Sequence, residues 1–208
     1  MNPHFIFNSL NTIEAYIVEK RDDEASAFLQ KFSKLIRSVL ENSQEEFISL
    51  AEELKVLTWY INLEQIRSNH KWDFSISVNE NINSNLIKIP PLILQPFVEN
   101  AIIHGLKNKL SGKGQIDITI QKNQNNILEI TIDDNGIGRI NSSKNQNKNT
   151  YKKKSLGMKF TIDRIINLNE TDEKKYYAEI IDKVENGEPT GTSIKLFLPF
   201  KPYKNILS

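Results

Sequence analysis

The chain has 208 residues, 38% of them hydrophobic, which is enough for one or two compact domains with a real core. A formal net charge of +1 gives bulk electrostatics no hold on nucleic acid or on an acidic membrane. The lack of cysteine excludes a thiol nucleophile and any Cys-based metal site, no uninterrupted apolar run reaches membrane-spanning length, and no signal peptide opens the chain.

The first residues, Asn2-Pro3-His4-Phe5-Ile6-Phe7-Asn8-Ser9-Leu10-Asn11, predict a helix, since Pro3 suits a first turn where its missing N–H is no loss. Ile6, Leu10, Ile13 and Ile17 recur at helical spacing as one apolar stripe. His4 lies about 150° from the centre of that stripe, with Asn8 and Asn11 beside it, so its imidazole is expected in solvent. Phe5 and Phe7 fall off the stripe and predict a second surface covered by a partner. The plainer alternative is a surface histidine near a terminus.

A second helix is expected over about 23–43, with Phe28, Phe32, Leu35 and Val39 in one row and Leu29, Ile36 and Leu40 widening it. A hairpin of two helices cannot bury so broad a face. Two copies packing as a four-helix bundle would bury it, and so would folding back onto the rest of the same chain. A boundary follows near residue 45, dividing an N-terminal unit, 1–45, from a second unit, 46–208. Ser49-Leu50-Ala51-Glu52 is a capping box opening a helix to about Ser68, with Leu50, Leu54, Leu57 and Ile61 as core. Glu64 and Arg67 are spaced for an ion pair. Trp72 to Val78 alternates as a half-buried strand should, with His70 at its edge as surface.

In Pro90 to Gly105, Pro91 is expected to start a helix, Leu94, Val98 and Ile102 to face one way, and Gly105 to begin its end. Asn100 and His104 then project from one side. An Asn midway along an apolar helix needs either a ligand or a polar partner. A Mg²⁺ ion bridging nucleotide phosphates would be the ligand, with Glu99 and His104 assisting, and a buried polar network would supply the partner. Two strands, 115–120 and 127–132, form a hairpin running into Asp133-Asp134-Asn135-Gly136-Ile137-Gly138. Gly136 and Gly138 let backbone lie close to a flat ring, and Asp134 suits an exocyclic amine such as that of adenine; the same string also makes a tight turn. The polar, lysine-rich stretch 141–154 reads as a mobile lid over phosphates or a solvated loop. Ser155-Leu156-Gly157-Met158 then leads into a helix whose N-terminus can face an anion. The last strands, 177–181 and 193–197, are joined through Gly191-Thr192, and little is legible after Phe200.

The run Asn2-Pro3-His4-Phe5-Ile6-Phe7-Asn8 resembles the phosphoacceptor box of LytS-type sensor histidine kinases. Glu99-Asn100-Ala101, Asp134-Asn135-Gly136-Ile137-Gly138, Ser155-Leu156-Gly157-Met158 and Gly191-Thr192 resemble, in order and spacing, the N, G1, G2 and terminal Gly-Thr boxes of the GHKL ATP-binding fold. The resemblance implies an α+β chain: a dimerising helical hairpin, then a two-layer α/β-sandwich ATP-binding domain. It implies ATP and Mg²⁺ as cofactors, with His4 phosphorylated, Asn8 and Glu99 assisting, Asn100 on the metal, and Asn100, His104, Asp134, Gly136, Gly138, Gly157 and Thr192 binding nucleotide. Phosphate would pass to a response regulator, including one with a LytTR-type DNA-binding output domain, and the chain itself would be a homodimer without direct nucleic-acid contact. Met1 matches an internal family position, so sensor and membrane segments are expected upstream, making this a cytoplasmic portion of a bacterial membrane protein. Two departures, Ser155 for the usual first glycine of G2 and Ile103 where Lys is common, leave an alternative: a catalytically weakened dimeric signalling adaptor.

Overall fold

The computed structural model describes residues 3–109, 111–123, 127–139, 148–167, 177–199 and 201–202. Helices α1 (Pro3–Val18) and α2 (Asp22–Asn42) form the hairpin, turning at Lys20, whose φ of 58° is left-handed. α3 (Leu50–Arg67) starts as its capping box predicts, with the Glu52 N–H donating to Ser49 Oγ at 3.1 Å.

The hairpin does not stand apart. Phe28, Phe32, Leu35 and Val39 of α2 are buried in the chain's own core against α3. The predicted stripe on α1 is corrected: Phe5, Ser9 and Ile13 face inward, while Ile6, Leu10 and Ile17 remain exposed. The cause is Phe5, whose ring lies 4.9 Å from that of Tyr60 and 6.1 Å from that of Phe32, so that aromatic packing turns α1 by one position. Of the two aromatics expected on a partner-covered surface, Phe5 is therefore covered by its own chain and Phe7 is exposed.

The second unit is built on a mixed five-stranded sheet in the order β2-β4-β5-β7-β6, with β2 Trp72–Val78, β4 Gly114–Lys122, β5 Ile127–Asp134, β6 Tyr177–Glu185 and β7 Glu188–Pro199. β2 runs parallel to β4 and the other pairs are antiparallel. Alternation puts Ile116, Ile118, Ile120, Leu128, Ile130, Ile132, Ile194, Leu196 and Leu198 on one buried face, under α3, α4 (Gln95–Asn100) with its continuation to residue 106, and α5 (Lys148–Asn167). This is the expected α+β arrangement, helical hairpin and then two-layer sandwich. A small second sheet had no sequence signal: β1 (Ile48–Ser49), β3 (Ile87–Ile89) and β8 (Lys201–Pro202) pair antiparallel in that order, so residues 201–202, the described part of the segment after Phe200, lie beside β3. Among the described residues no helix is long and apolar enough to cross a membrane.

Candidate nucleotide and phosphoacceptor site

His4 lies in the first turn of α1 and is exposed, as its helical phase predicts. Asn8, one turn on, holds the ring: its amide nitrogen is 2.8 Å from Nδ1 and 3.3 Å from Nε2. The pair is local to one helix, so the spacing of four residues was sufficient to find it.

The second group of predicted residues meets at the C-terminal end of β5. Asp134 is buried, accepting the Gly136 N–H at 2.8 Å and the backbone N–H of Thr192, which sits opposite it on β7. Burial pushes its carboxyl from 3.8 to about 6, against the pull of those hydrogen bonds and of Lys183. The helix bearing Glu99 and Asn100 reaches the same place by an unexpected route. It begins at Gln95 with Pro96 in its first turn, not at Pro91, and after Asn100 it widens into a π-helical stretch, Ala101–Leu106. Gly105 is thus no helix end. It lies inside the π-stretch, where an added Cβ would come 2.8 Å from Asp134 Oδ1, and its carbonyl accepts the Ile137 N–H at 3.2 Å. π-stretches of this kind concentrate at functional sites.

Gly136 has a packing duty beside the one its motif suggested. A Cβ there would lie 2.3 Å from Gly105 Cα, so its bareness lets the two backbones meet. Gly138, with φ 71°, does need glycine's freedom, and a Cβ there would lie 2.9 Å from Pro189 Cβ. Gly191, with φ 138°, lets β7 approach to where a Cβ would touch the Asp134 carbonyl at 2.0 Å.

Asn100 and His104 are half-buried on the helical stretch whose Gly105 meets Asp134, and Glu99 accepts the Gln95 side-chain N–H at 2.8 Å. Glu64 and Arg67 form the expected ion pair, partly buried above Tyr60, and burial raises the Glu64 carboxyl despite Arg67. Gly157 is not brought in. The helix expected after Met158 already begins at Lys148, so Gly157 sits mid-helix, exposed, with nothing within 4 Å of an added Cβ and no unpaired helix N-terminus beside it. Part of the lysine-rich lid, 148–154, is helical, and 141–147 lies outside the described residues.

The donor set fits an adenine nucleotide: a buried carboxylate pre-held by two backbone N–H groups, and a half-buried Asn on the adjoining helix. Among the described residues no three His, Asp or Glu side chains cluster for a metal, so a Mg²⁺ here would take its ligands from Asn100, phosphate and water.

Residues 1–72 match the family model "Histidine kinase". Over 138 residues, 66% of this chain, the sequence is 35% identical to the sensor histidine kinase/phosphatase LytS of Staphylococcus aureus strain MRSA252. This chain belongs to the LytS-type sensor histidine kinases. It spans 23% of the length of that LytS relative. Among solved structures this LytS-type chain is similar to the histidine kinase domain of the Erythrobacter litoralis EL346 blue-light activated kinase, at TM-score 0.49 and 12% identity, covering 88% of this chain and 84% of that one. It is also similar to Acinetobacter baumannii AdeS, at TM-score 0.46 and 13% identity, covering 94% and 98%.

One residue of this LytS-type chain that no motif flagged is Glu53. It is buried on α3, and its carboxylate accepts the N–H groups of Leu92 at 2.7 Å and Leu94 at 3.0 Å, with Ile93 between them. It thereby fixes the loop that launches the Gln95 helix, where Leu92 has a left-handed φ of 57°. Burial raises its carboxyl above the usual value. The signal was present: position 53 lies on the Leu50–Leu57 face of α3, where a carboxylate needs buried partners. Arg164 of α5 donates to the Pro91 carbonyl at 3.0 Å and ties that helix to the same loop.

Proposed function

We propose that the chain is the phosphoacceptor and ATP-binding part of a sensor histidine kinase, which moves the γ-phosphoryl of ATP to His4 and from there to an aspartate of a response regulator. His4 carries the reading: an exposed imidazole gripped by an amide one turn away, on a chain with a buried carboxylate pre-held by backbone N–H groups. A ring nitrogen lone pair attacks the γ-phosphorus, the bond to the ADP oxygen breaks, and the ring proton goes to solvent. Such transfer is governed by positioning and charge neutralisation. Asn8 sets the tautomer. With its amide nitrogen donating to Nδ1 the neutral ring keeps its proton on Nε2; turned over, the amide oxygen would accept an Nδ1 proton and leave Nε2 free to attack.

Asp134 would accept the adenine amine, Thr192 would line the base beside it, and Gly136 and Gly138 would shape the loop. Mg²⁺, when bound, shields the phosphate charge; Asn100 would hold it, with Glu99 and His104 contacting phosphate or water. Gly157 would grip phosphate only after the first half of α5 rearranges. The exposed Ile6, Leu10, Ile17, Leu29 and Leu40 suit a second copy, giving the homodimer. The LytS relatives are named as kinase and phosphatase, and removal of the phosphoryl group by hydrolysis, with water as the acceptor and inorganic phosphate as the product, is carried here as part of the same proposal.

γ-Labelled ATP should label the wild-type protein, and His4→Gln should abolish the label while ADP affinity stays within about twofold. Labelling that persists in His4→Gln overturns the acceptor. ADP binding by a chain that never labels favours the adaptor reading instead, to which Ser155 and Ile103 are the pointers.

A further inference from the structure

Asp134, Thr192 and Asp182 stand side by side across three neighbouring strands: Asp134 of β5 faces Thr192 of β7, and Thr192 faces Asp182 of the edge strand β6. Directly opposed residues in antiparallel strands send their side chains to the same face, so Asp182 shares the face of the candidate base pocket. With strands about 4.8 Å apart, its backbone is roughly 10 Å from that of Asp134, with only the small Thr192 between them. Arg139 meets it there. Its Nε donates to Asp182 Oδ1 at 2.7 Å and its Nη2 to Oδ2 at 2.8 Å, a two-pronged ion pair. Arg139 also follows Gly138 directly, where the loop leaves β5 in a left-handed turn against Pro189. The guanidinium holds the Asp182 carboxyl below its ordinary range, as an opposed cation does.

We propose that Arg139 and Asp182 are paired positioning residues that close the base end of the nucleotide pocket and lock the 134–138 loop against the edge strand. The inference rests on the nucleotide-binding reading above and adds to it a wall opposite Asp134, supplied by residues 43 positions apart. Both side chains are about one-third exposed, so the pair contributes little to global stability and acts through the loop it orders. A second pair, Lys183 with Asp133, links β6 to β5 one residue along, on the opposite face of the sheet.

The test is calorimetric titration of ADP with Mg²⁺ into the wild type, Asp182→Ala, Arg139→Ala and the double variant, with urea unfolding of each protein without nucleotide. Each single variant should bind ADP about fivefold more weakly with a nearly unchanged unfolding midpoint, and the double variant no more weakly than the worse single one. Unchanged affinity in the singles, losses that multiply in the double, or losses that follow the unfolding midpoint would each overturn the proposal. Wild-type protein that fails to bind ADP would overturn the nucleotide reading itself and this inference with it. Wild-type binding alongside indifferent variants removes only the Arg139–Asp182 pair.

Discussion

Asp134 offers a pH test of the pocket that needs no catalytic turnover. Its carboxyl titrates at about 6 in the fold against an ordinary 3.8, because burial disfavours the charge more than Gly136, Lys183 and Thr192 favour it. A group whose folded value is raised holds its proton more tightly in the fold. Its contribution is therefore most favourable below 3.8 and is lost as the pH rises through about 6. At roughly 1.4 kcal/mol per pH unit, the full loss is about 3 kcal/mol, of which about 1.4 kcal/mol falls between pH 5 and pH 8. Asp134→Asn has no such titration. Urea unfolding of both proteins at pH 5 and pH 8 should show the wild type losing about 1.4 kcal/mol relative to the Asn variant, while other titrating groups cancel in the comparison. A gap that does not change with pH refutes the reasoning. Nucleotide reverses the sign: an adenine amine donates to the ionised carboxylate, so ADP affinity should rise with pH through about 6 and binding should release a proton. Heats of binding measured in buffers of different ionisation enthalpy report that proton directly.

Other substitutions report on separate parts. Phe5→Ala, which empties a site against Tyr60 and Phe32, should cost about 3–5 kcal/mol in urea unfolding, whereas the exposed Phe7→Ala should change it by less than about 0.5 kcal/mol. Glu53→Ala strands the Leu92, Ile93 and Leu94 N–H groups in a buried place and should cost at least about 3 kcal/mol by the same assay. Gly136→Ala drives a Cβ into the Gly105 backbone and should abolish ADP binding by calorimetry, while the open Gly157→Ala leaves the unliganded fold unchanged by circular dichroism. Asn100→Ala should weaken Mg-ADP binding more than ADP binding without metal; equal loss in both would count against its metal role.

Much of the fold was legible because its elements carry local signals. β2 begins and ends at Trp72 and Val78 as the alternation requires, α3 opens at its capping box, and His4 is exposed by helical phase alone. What sequence could not supply was direction set by distant partners. The stripe Ile6, Leu10, Ile13 and Ile17 is a good helical stripe, but only Ile13 is buried, because Tyr60, 55 residues from Phe5, decides which side of α1 turns inward. Likewise Gly105 looks like a helix end. Its closeness to Gly136, which explains the bareness of both, depends on a π-turn that no periodicity announces. Arg139 and Asp182 had no signal at all, since an ion pair between a loop and an edge strand leaves no spacing to read.

Phe5 also connects the two halves of the chain in a way that bears on the phosphotransfer proposal. It is the residue after His4, and it is buried against Tyr60, whose hydroxyl burial holds its acidity well below that of a free phenol and which feels the charges of both Glu99 and Glu64. The helix that presents the imidazole is thus seated on Tyr60 of α3, which lies within electrostatic reach of Glu99. A phosphoryl group carried from the pocket to His4 has to cross from one to the other, and whichever way α1 moves to meet it, Phe5 must either stay as the pivot or leave a buried aromatic site. The two cases separate in Phe5→Leu. Retaining the apolar anchor with less aromatic contact should leave labelling of His4 within about twofold if Phe5 is a pivot, and should speed it if release of Phe5 limits the transfer.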